Sequence, residues 1–349
     1  MNFITICRIG LVSLWLAGWT LQPVHAQTYT SGAAYMSAMN AQYEQFVSDM
    51  WAYVSTAAHS RNAKKVETQR KELLSTVLLV QRNIKKLPPY EGDASLRDTA
   101  ASYFRLCYLV LNDDFAKIVN LEEIAEQSYD LMEAYLEAQE QANDKLAEAS
   151  LRLNAQQEVF AINHNVNLII GEQDKTSRQL EIANKVIGYH NKVYLIFFKS
   201  YKQDYYLSEA VKKGDINGIL QNQSTMSRYA AEGLAELAKV GSYEGDATLL
   251  DACKRSLELY KSIGDEKATV LADFYLKKDN FEKIKYSFDA KPAGKRTPED
   301  IKRYNDAVVV FNTAIAAYNE MGVQLNKARN VAIEDWNQAS ERFKDRHVP

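Results

Sequence analysis

The chain has 349 residues, 46% of them hydrophobic, and its 42 basic and 45 acidic side chains give a net charge of −3. Nucleic-acid binding requires a basic patch that displaces counterions, and adsorption to anionic lipid requires a cationic surface. The even mixture of charges along this chain argues against both. Only 14 glycines and 6 prolines interrupt the sequence, which predicts long helices and few loops.

Residues 1–26 have the pattern of a secretory signal peptide. Arg8 supplies a positive charge, residues 9–21 form an apolar run, and residues 24–26 form a small-x-small cleavage motif. The apolar run is shorter than the about 20 residues of a membrane-spanning helix, and charges interrupt every later apolar stretch. We therefore expect cleavage after Ala26 and a mature chain without stable membrane insertion, in the periplasm, outside the cell or at its surface. An uncleaved N-terminal anchor is the alternative.

A nine-residue stretch occurs twice, at residues 90–98 and 243–251, which are 153 positions apart. Seven of the nine residues are identical. A period of this size is too long for a solenoid unit and matches a whole domain. The repeat predicts one helical module at residues 27–165 and a second at residues 172–349.

Apolar residues recur at alternating spacings of three and four, the pattern of helices with one buried stripe. No run alternates strictly as a strand does. We expect an all-α fold with more than about 70% helix, a tandem repeat of two antiparallel four-helix-bundle modules with long helices. Whether the fourth and fifth helices are continuous stays open. The predicted helices span 33–58, 63–87, from after 93 to 111, from 120 to about 163, 174–213, 216–239, from after 246 to 263, and from 298 onward, with a long loop at 286–297.

The repeated stretch has the composition of a corner between two helices. Its glycine permits a backbone geometry that a side chain penalises, and its aspartate is a natural helix N-cap. The preferred interpretation is a structural corner, and the alternative is an acidic site formed by its Glu and Asp residues, with calcium as the cation. The residues concerned are Tyr90, Glu91, Gly92 and Asp93, and Tyr243, Glu244, Gly245 and Asp246.

Sequence motifs of catalysis are missing. None of the histidines after residue 26 belongs to the Glu-x-x-His pairs of di-iron bundles, and the chain has neither a phosphate-binding glycine loop nor a nucleophile elbow. Cys107 and Cys253 lie in apolar stripes, which favours buried thiols over a disulfide. We therefore expect a protein that is not an enzyme, without catalytic residues, cofactor or metal.

Aromatic side chains crowd the fifth predicted helix more densely than one buried stripe can hide. The candidate binding surface consists of Tyr189, His190, Phe198 and Tyr205. An aromatic groove of this kind would receive a protein, a glycan or an apolar ligand. The alternative is that this helix is central and that these rings belong to the core.

The signal peptide, the paired modules and the Tyr-Glu-Gly-Asp corners together resemble a poorly characterised family of exported helical surface proteins of Gram-negative bacteria. The resemblance implies export and surface exposure, and it implies no activity. The expected function is an exported, non-enzymatic scaffold or binding protein of the cell envelope. The alternatives are an enzyme whose site lies in a crease between the modules, and a membrane-active helical protein.

Overall fold

The structure is a computed structural model that describes residues 29–59, 62–114, 125–168 and 174–349. Of these residues 88% are helical, and none lies in a β-strand. The all-α prediction is therefore confirmed. Within the same ranges, no helix is both long and apolar enough to cross a membrane. The predicted signal peptide falls outside the described residues.

The α-helices follow one another along the chain. Two of them, α3 and α7, each continue into a single π-helical turn, at Val110–Asp114 and Ile263–Lys267. Helix α7 and its π turn lie 153 residues after α3 and its π turn, which is the spacing of the sequence repeat. The helices are α1 Gly32–His59, α2 Ala63–Lys86, α3 Ser95–Leu109, α4 Tyr129–Asn163, α5 Lys175–Lys213, α6 Ile216–Val240, α7 Thr248–Ser262, α8 Ala268–Asp289 and α9 Pro298–His347.

Helix α4 begins later than its predicted start at Asn120, which lies outside the described residues. The N-cap is Ser128, whose hydroxyl oxygen accepts a hydrogen bond from the amide of Leu131 at 3.2 Å. The helix ends at Asn163, and Asn165 has a positive φ of 53°, which the right-handed helix cannot accommodate. Helices α4 and α5 are therefore separate, which answers the question that the sequence left open.

The predicted long loop at 286–297 is partly wrong, because α8 extends to Asp289. Helix α8 itself was not among the predicted helices. The loop is confined to residues 290–297 and contains a 3₁₀ turn at Ala293–Lys295. The predicted start of α9 is confirmed: the Thr297 hydroxyl oxygen accepts from the amide of Asp300 at 3.2 Å, and the Asp300 carboxylate accepts from the amide of Thr297 at 2.9 Å. This reciprocal pair is a capping box.

The chain divides into two compact units. Unit 1 contains Met1–Asn191 and Arg342–Pro349, and unit 2 contains Lys192–Glu341. Helices α5 and α9 contribute residues to both units. The tandem arrangement with a module boundary at residues 165–172 remains a prediction.

Unit 1 is built from helices that pack in chain order, α1 on α2, α2 on α3 and α3 on α4. Its core is rich in aromatic rings, because the apolar stripes of these helices carry large side chains at the predicted spacing. The Cys107 thiol lies among them, fully buried, and it is not part of a disulfide. The buried rings include Tyr35, Tyr43, Phe46, Tyr103, Phe104 and Phe160.

In unit 2, helix α6 packs against α7, the following π turn and α8. The π turn approaches α6 closely at Gly264, where a Cβ atom would lie 2.7 Å from the amide nitrogen of Ser227. Only glycine permits this approach. Cys253 is the second buried thiol, and burial raises its pKa well above the ordinary range. Both cysteines are therefore core residues, as their positions in apolar stripes predict.

Candidate functional site

The two Tyr-Glu-Gly-Asp corners are tight turns with the same backbone. In the first, the amide of Tyr90 donates to the carbonyl of Asp93 at 3.0 Å, and the amide of Asp93 donates to the carbonyl of Tyr90 at 2.8 Å. The two central residues, Glu91 and Gly92, have φ values of 50° and 86°. Positive φ at both central positions defines a type I′ turn, and glycine adopts it without strain.

The second corner repeats this geometry. The amide of Tyr243 donates to the carbonyl of Asp246 at 3.2 Å, and the amide of Asp246 donates to the carbonyl of Tyr243 at 2.8 Å. The central residues, Glu244 and Gly245, have φ values of 49° and 86°. In both copies the aspartate carboxylate accepts from the amide two residues on, that of Ser95 or Thr248, at 2.7 and 2.8 Å. The following helix begins at that residue, so the aspartate caps its first turn from one position earlier than a standard N-cap.

Aromatic rings and a histidine pack against the first corner in unit 1. The ring of Tyr90 lies 5.5 Å from that of Tyr35 and 5.8 Å from that of Phe160, between ring centroids. The imidazole of His164 contacts the Glu91 carboxylate through Nδ1 at 3.1 Å and the Asp93 carboxylate through Nε2 at 3.2 Å. The corner is thereby tied to the C-terminal end of α4.

The acids of this corner serve the turn itself. Hydrogen bonds from Ser95, followed by the contact with His164, lower the pKa of Asp93 below its ordinary value. Among the residues that the structure describes, no group of three or more His, Cys, Asp or Glu side chains is arranged to hold a metal ion. The geometry supports the structural interpretation of the corner. His164 lies 71 residues from Asp93, and no local sequence pattern pairs them.

The four residues of the predicted binding surface have different environments. Phe198 is only 1% exposed and therefore belongs to the core of unit 2, as the alternative interpretation has it. Tyr205 is 49% exposed, and the ammonium group of Lys202 lies 4.0 Å from its ring centroid. In unit 1, Tyr189 is half-buried with its ring 5.4 Å from that of Phe343. The structure therefore does not contain an aromatic surface made of all four side chains.

His190, the remaining member, is half-buried in unit 1. Burial and then the charge of Lys344 lower its pKa to about 3. The imidazole is therefore neutral at physiological pH. Desolvation disfavours the charged imidazolium, and the positive charge of Lys344 adds to this effect.

A buried ion pair connects α5 and α9 inside unit 2. The guanidinium of Arg329 donates to both carboxylate oxygens of Asp204, at 2.8 and 2.7 Å. Burial raises the pKa of the Asp204 carboxyl group, and the contact with Arg329 opposes this rise. The same part of the core holds the rings of Phe197 and Trp336, which stack with centroids 4.3 Å apart and planes 4° apart. These contacts hold the part of α9 from Arg329 to Trp336 in the core of unit 2, and we call this part the base of α9.

Farther from this core, α8 and α9 form a two-helix hairpin, which we define as residues 276–317 and call the distal hairpin. Within it only Ala307 and Ala314 are buried. Aromatic residues at seven-residue intervals lie along the facing sides of both helices and form a continuous seam of rings that begins at the base of the hairpin. The rings are Phe274, Phe281 and Phe288 on α8, and Tyr304, Phe311 and Tyr318 on α9.

The seam is closely packed from base to tip. Phe274 stacks on Tyr318 at 4.2 Å, Phe281 on Phe311 at 4.8 Å, and Phe288 on Tyr304 at 4.5 Å between centroids. At the tip, the guanidinium of Arg296 lies 4.2 Å from the centroid of the Phe288 ring. Offset ring stacks and a cation over an aromatic face each add to the burial of apolar area. The hairpin is thus held by its own seam.

This seam was not recognised from the sequence. The signal is present, because three rings spaced by seven residues precede the 290–297 loop and three more follow it. An antiparallel hairpin about that loop brings the two sets together. The heptad spacing therefore identifies both α8 and its partner surface on α9.

Outside the seam, the distal hairpin exposes apolar side chains and an open groove. Leu276 is 52% exposed, Tyr286 79%, Val309 65% and Val310 46%. The groove has a volume of about 360 Å³ and is lined by five charged side chains, one asparagine and four apolar side chains. Apolar side chains that recur on one exposed structure are typical of a contact surface. The distal hairpin is therefore the candidate functional site.

Comparison with models of protein families, with curated proteins and with solved structures finds no match for this chain.

Proposed function

We propose that the protein is an exported, non-enzymatic helical binding protein of the bacterial cell envelope that uses the distal hairpin as its contact surface. The observation that carries this proposal is the combination of an internal aromatic seam with exposed apolar side chains on the outside of the same two helices. The seam leaves the outer faces available for a partner. The resemblance to exported helical surface proteins is consistent with this role.

A stiff hairpin is well suited to binding. The stacked rings hold α8 and α9 in one arrangement, so that little conformational entropy remains to be lost when a partner binds. Val309 on α9 and Leu276 on α8 are 65% and 52% exposed. Covering such side chains releases about 25 cal/mol per Å² of apolar area. The hairpin thus supplies both preorganisation and apolar area.

Export is supported by the sequence of residues 1–26, with its basic start, apolar run and cleavage motif. We expect the protein recovered from the envelope of a Gram-negative host to begin at Gln27. The substitution Ala26→Asp should block cleavage and leave the longer precursor. N-terminal sequencing or intact mass measures both results. Recovery of the wild-type chain in the cytoplasm with its full length would contradict export.

The binding role is tested by photo-cross-linking in the producing cells. A photoreactive amino acid placed at Val309 should give a discrete adduct. The matched control is Lys283 on α8, whose side chain is 72% exposed and lies within a charged face. An adduct at position 309 and none at position 283 supports the proposal. Absence of adducts at both positions would contradict the assignment of the hairpin as a contact surface.

A further inference from the structure

The outward face of α9 carries asparagine at every seventh position. Asn305, Asn312, Asn319 and Asn326 form one row, and a second row of Val309, Ala316 and Val323 runs between them. All seven side chains are exposed. The alternating spacings of four and three are those of the two core positions of a coiled coil. We call this surface the asparagine–valine stripe.

The stripe differs from an ordinary solvated helix face in its lack of charge. From Ala307 to Tyr318, α9 has no charged residue. The outer side of α8 in the same hairpin exposes Lys278, Asp279, Glu282 and Lys283, which is the usual composition of a face in water. The two helices of one hairpin thus have different outer surfaces. The difference indicates that the α9 face has a partner.

The spacing indicates that this partner is a helix. The stripe keeps its heptad register from Asn305 to Asn326, three heptads, which is the shortest length typical of a coiled-coil seam. Lipid is excluded as the occupant, because it would leave four asparagine amides without hydrogen-bond partners in an apolar medium.

We propose that the occupant is a second copy of this chain, paired in parallel and in register through α9. An asparagine amide both donates and accepts, so it is complementary to the same amide on a two-fold related copy. Parallel pairing places each asparagine opposite itself and each valine opposite itself. Antiparallel pairing would place Asn312 against Val323 and leave the amide unsatisfied.

The expected dimer is weak. The stripe is about 32 Å long at 1.5 Å per residue, and a contact about 10 Å wide buries about 600 Å² over both copies. Interfaces below about 1,200 Å² belong to weak and transient complexes. Buried asparagines fix register and partner number at a cost in affinity. The dimer should therefore form and dissociate reversibly in the micromolar range.

This inference rests on the proposed role of the distal hairpin as a contact surface, and it names the partner. The first test is sedimentation velocity of the purified chain over a range of concentrations that ends near 1 mM. The wild type should show a reversible monomer–dimer equilibrium. Val309→Glu and Val323→Glu should each weaken association tenfold or more. Val331→Glu is the matched control, because Val331 is also on α9, is 59% exposed and lies outside both the stripe and the distal hairpin.

The second test examines the register. Asn312→Cys should form a symmetric intermolecular disulfide on mild oxidation, because parallel pairing places the two residues 312 opposite each other. Val331→Cys, outside the stripe on the same helix, should not form one. The native Cys107 and Cys253 are buried and do not compete. Circular dichroism of every variant confirms that the exposed substitutions leave the helices folded.

Four results would overturn the inference. They are a monomer at all concentrations, a dimer that Val309→Glu leaves intact, a dimer that Val331→Glu weakens equally, and a dimer in which Asn312→Cys does not cross-link. A strictly monomeric chain that still gives an adduct with another protein at position 309 would overturn this inference and leave the proposed function standing. Loss of the adduct together with loss of the dimer would contradict both.

Discussion

Helix α9 belongs to two differently stabilised regions of unit 2. Near its base, Trp336 is 4% exposed and Arg329 pairs with the buried Asp204. In the distal hairpin the same helix stacks its rings on those of α8, and within the hairpin only Ala307 and Ala314 are buried. The stability of α9 against local unfolding therefore differs along its length. Its base is part of a shared core, and its outer half depends on one aromatic seam.

The largest effect should come from the base of α9. Trp336→Ala removes a ring that stacks on Phe197 at 4.3 Å, and loss of such a buried aromatic side chain costs about 3–5 kcal/mol. Chemical denaturation should show this loss for unit 2 as a whole. Val331→Ala, at a position that is 59% exposed, is the control and should change the midpoint little. Equal midpoints for the two variants would contradict the contribution of the stacked Trp336 ring to the core of unit 2.

A smaller and local effect is expected in the distal hairpin. Phe281→Ala opens the seam at its stack on Phe311, and we expect a loss of about 1–2 kcal/mol. Hydrogen exchange should accelerate within residues 276–317 while the core of unit 2 stays protected, because local opening does not require global unfolding. Tyr286→Ala, on the same helix and 79% exposed, is the control. Faster exchange throughout unit 2 would mean that the hairpin and the core unfold together.

Substitutions in the second corner should lower the stability of unit 2, because this corner is attached to the core. Asp246→Ala removes the carboxylate that accepts from the amide of Thr248 at 2.8 Å, and the cost of losing such a cap is about 1 kcal/mol. Gly245→Ala should cost a similar amount, because φ is 86° there. Thermal denaturation measures both. Asp93→Ala and Gly92→Ala provide the matched pair in unit 1, and unchanged melting of all four would contradict the structural role of the corner.

The smallest effect concerns the first turn of α9. Lys291 and then the amide of Thr297 lower the pKa of Asp300 to about 2, from an ordinary value of 3.8. The ionised Asp300 carboxylate therefore stabilises the first turn of α9 fully above pH 3.8, and this stabilisation is lost as the pH falls towards 2. Hydrogen exchange of the first turn, corrected for intrinsic rates, should rise over this interval. Asp300→Asn should abolish the pH dependence, Glu299→Gln should preserve it, and a pH-independent wild type would contradict this account.

Much of the local structure follows from the sequence. The apolar spacing predicts the helices, because a stripe at intervals of three and four can be buried only on a helix. The capping box at Thr297 and Asp300 and the glycine at position 92 are also local features, since each satisfies the backbone within a few residues. The candidate site was predicted less well: Phe198 lies in the core, and the heptad rings of the distal hairpin were not recognised.

What the sequence by itself determined is the helical class, the ends of most helices and the geometry of the two corners, because these depend on backbone hydrogen bonds and side chains within a few residues. Tertiary structure alone decided which aromatic rings are buried, that His164 contacts the acids of the first corner, and that Asp204 pairs with Arg329. These contacts join residues 71 to 125 positions apart. No local pattern encodes such a pairing, since it depends on which stripes meet when the helices pack.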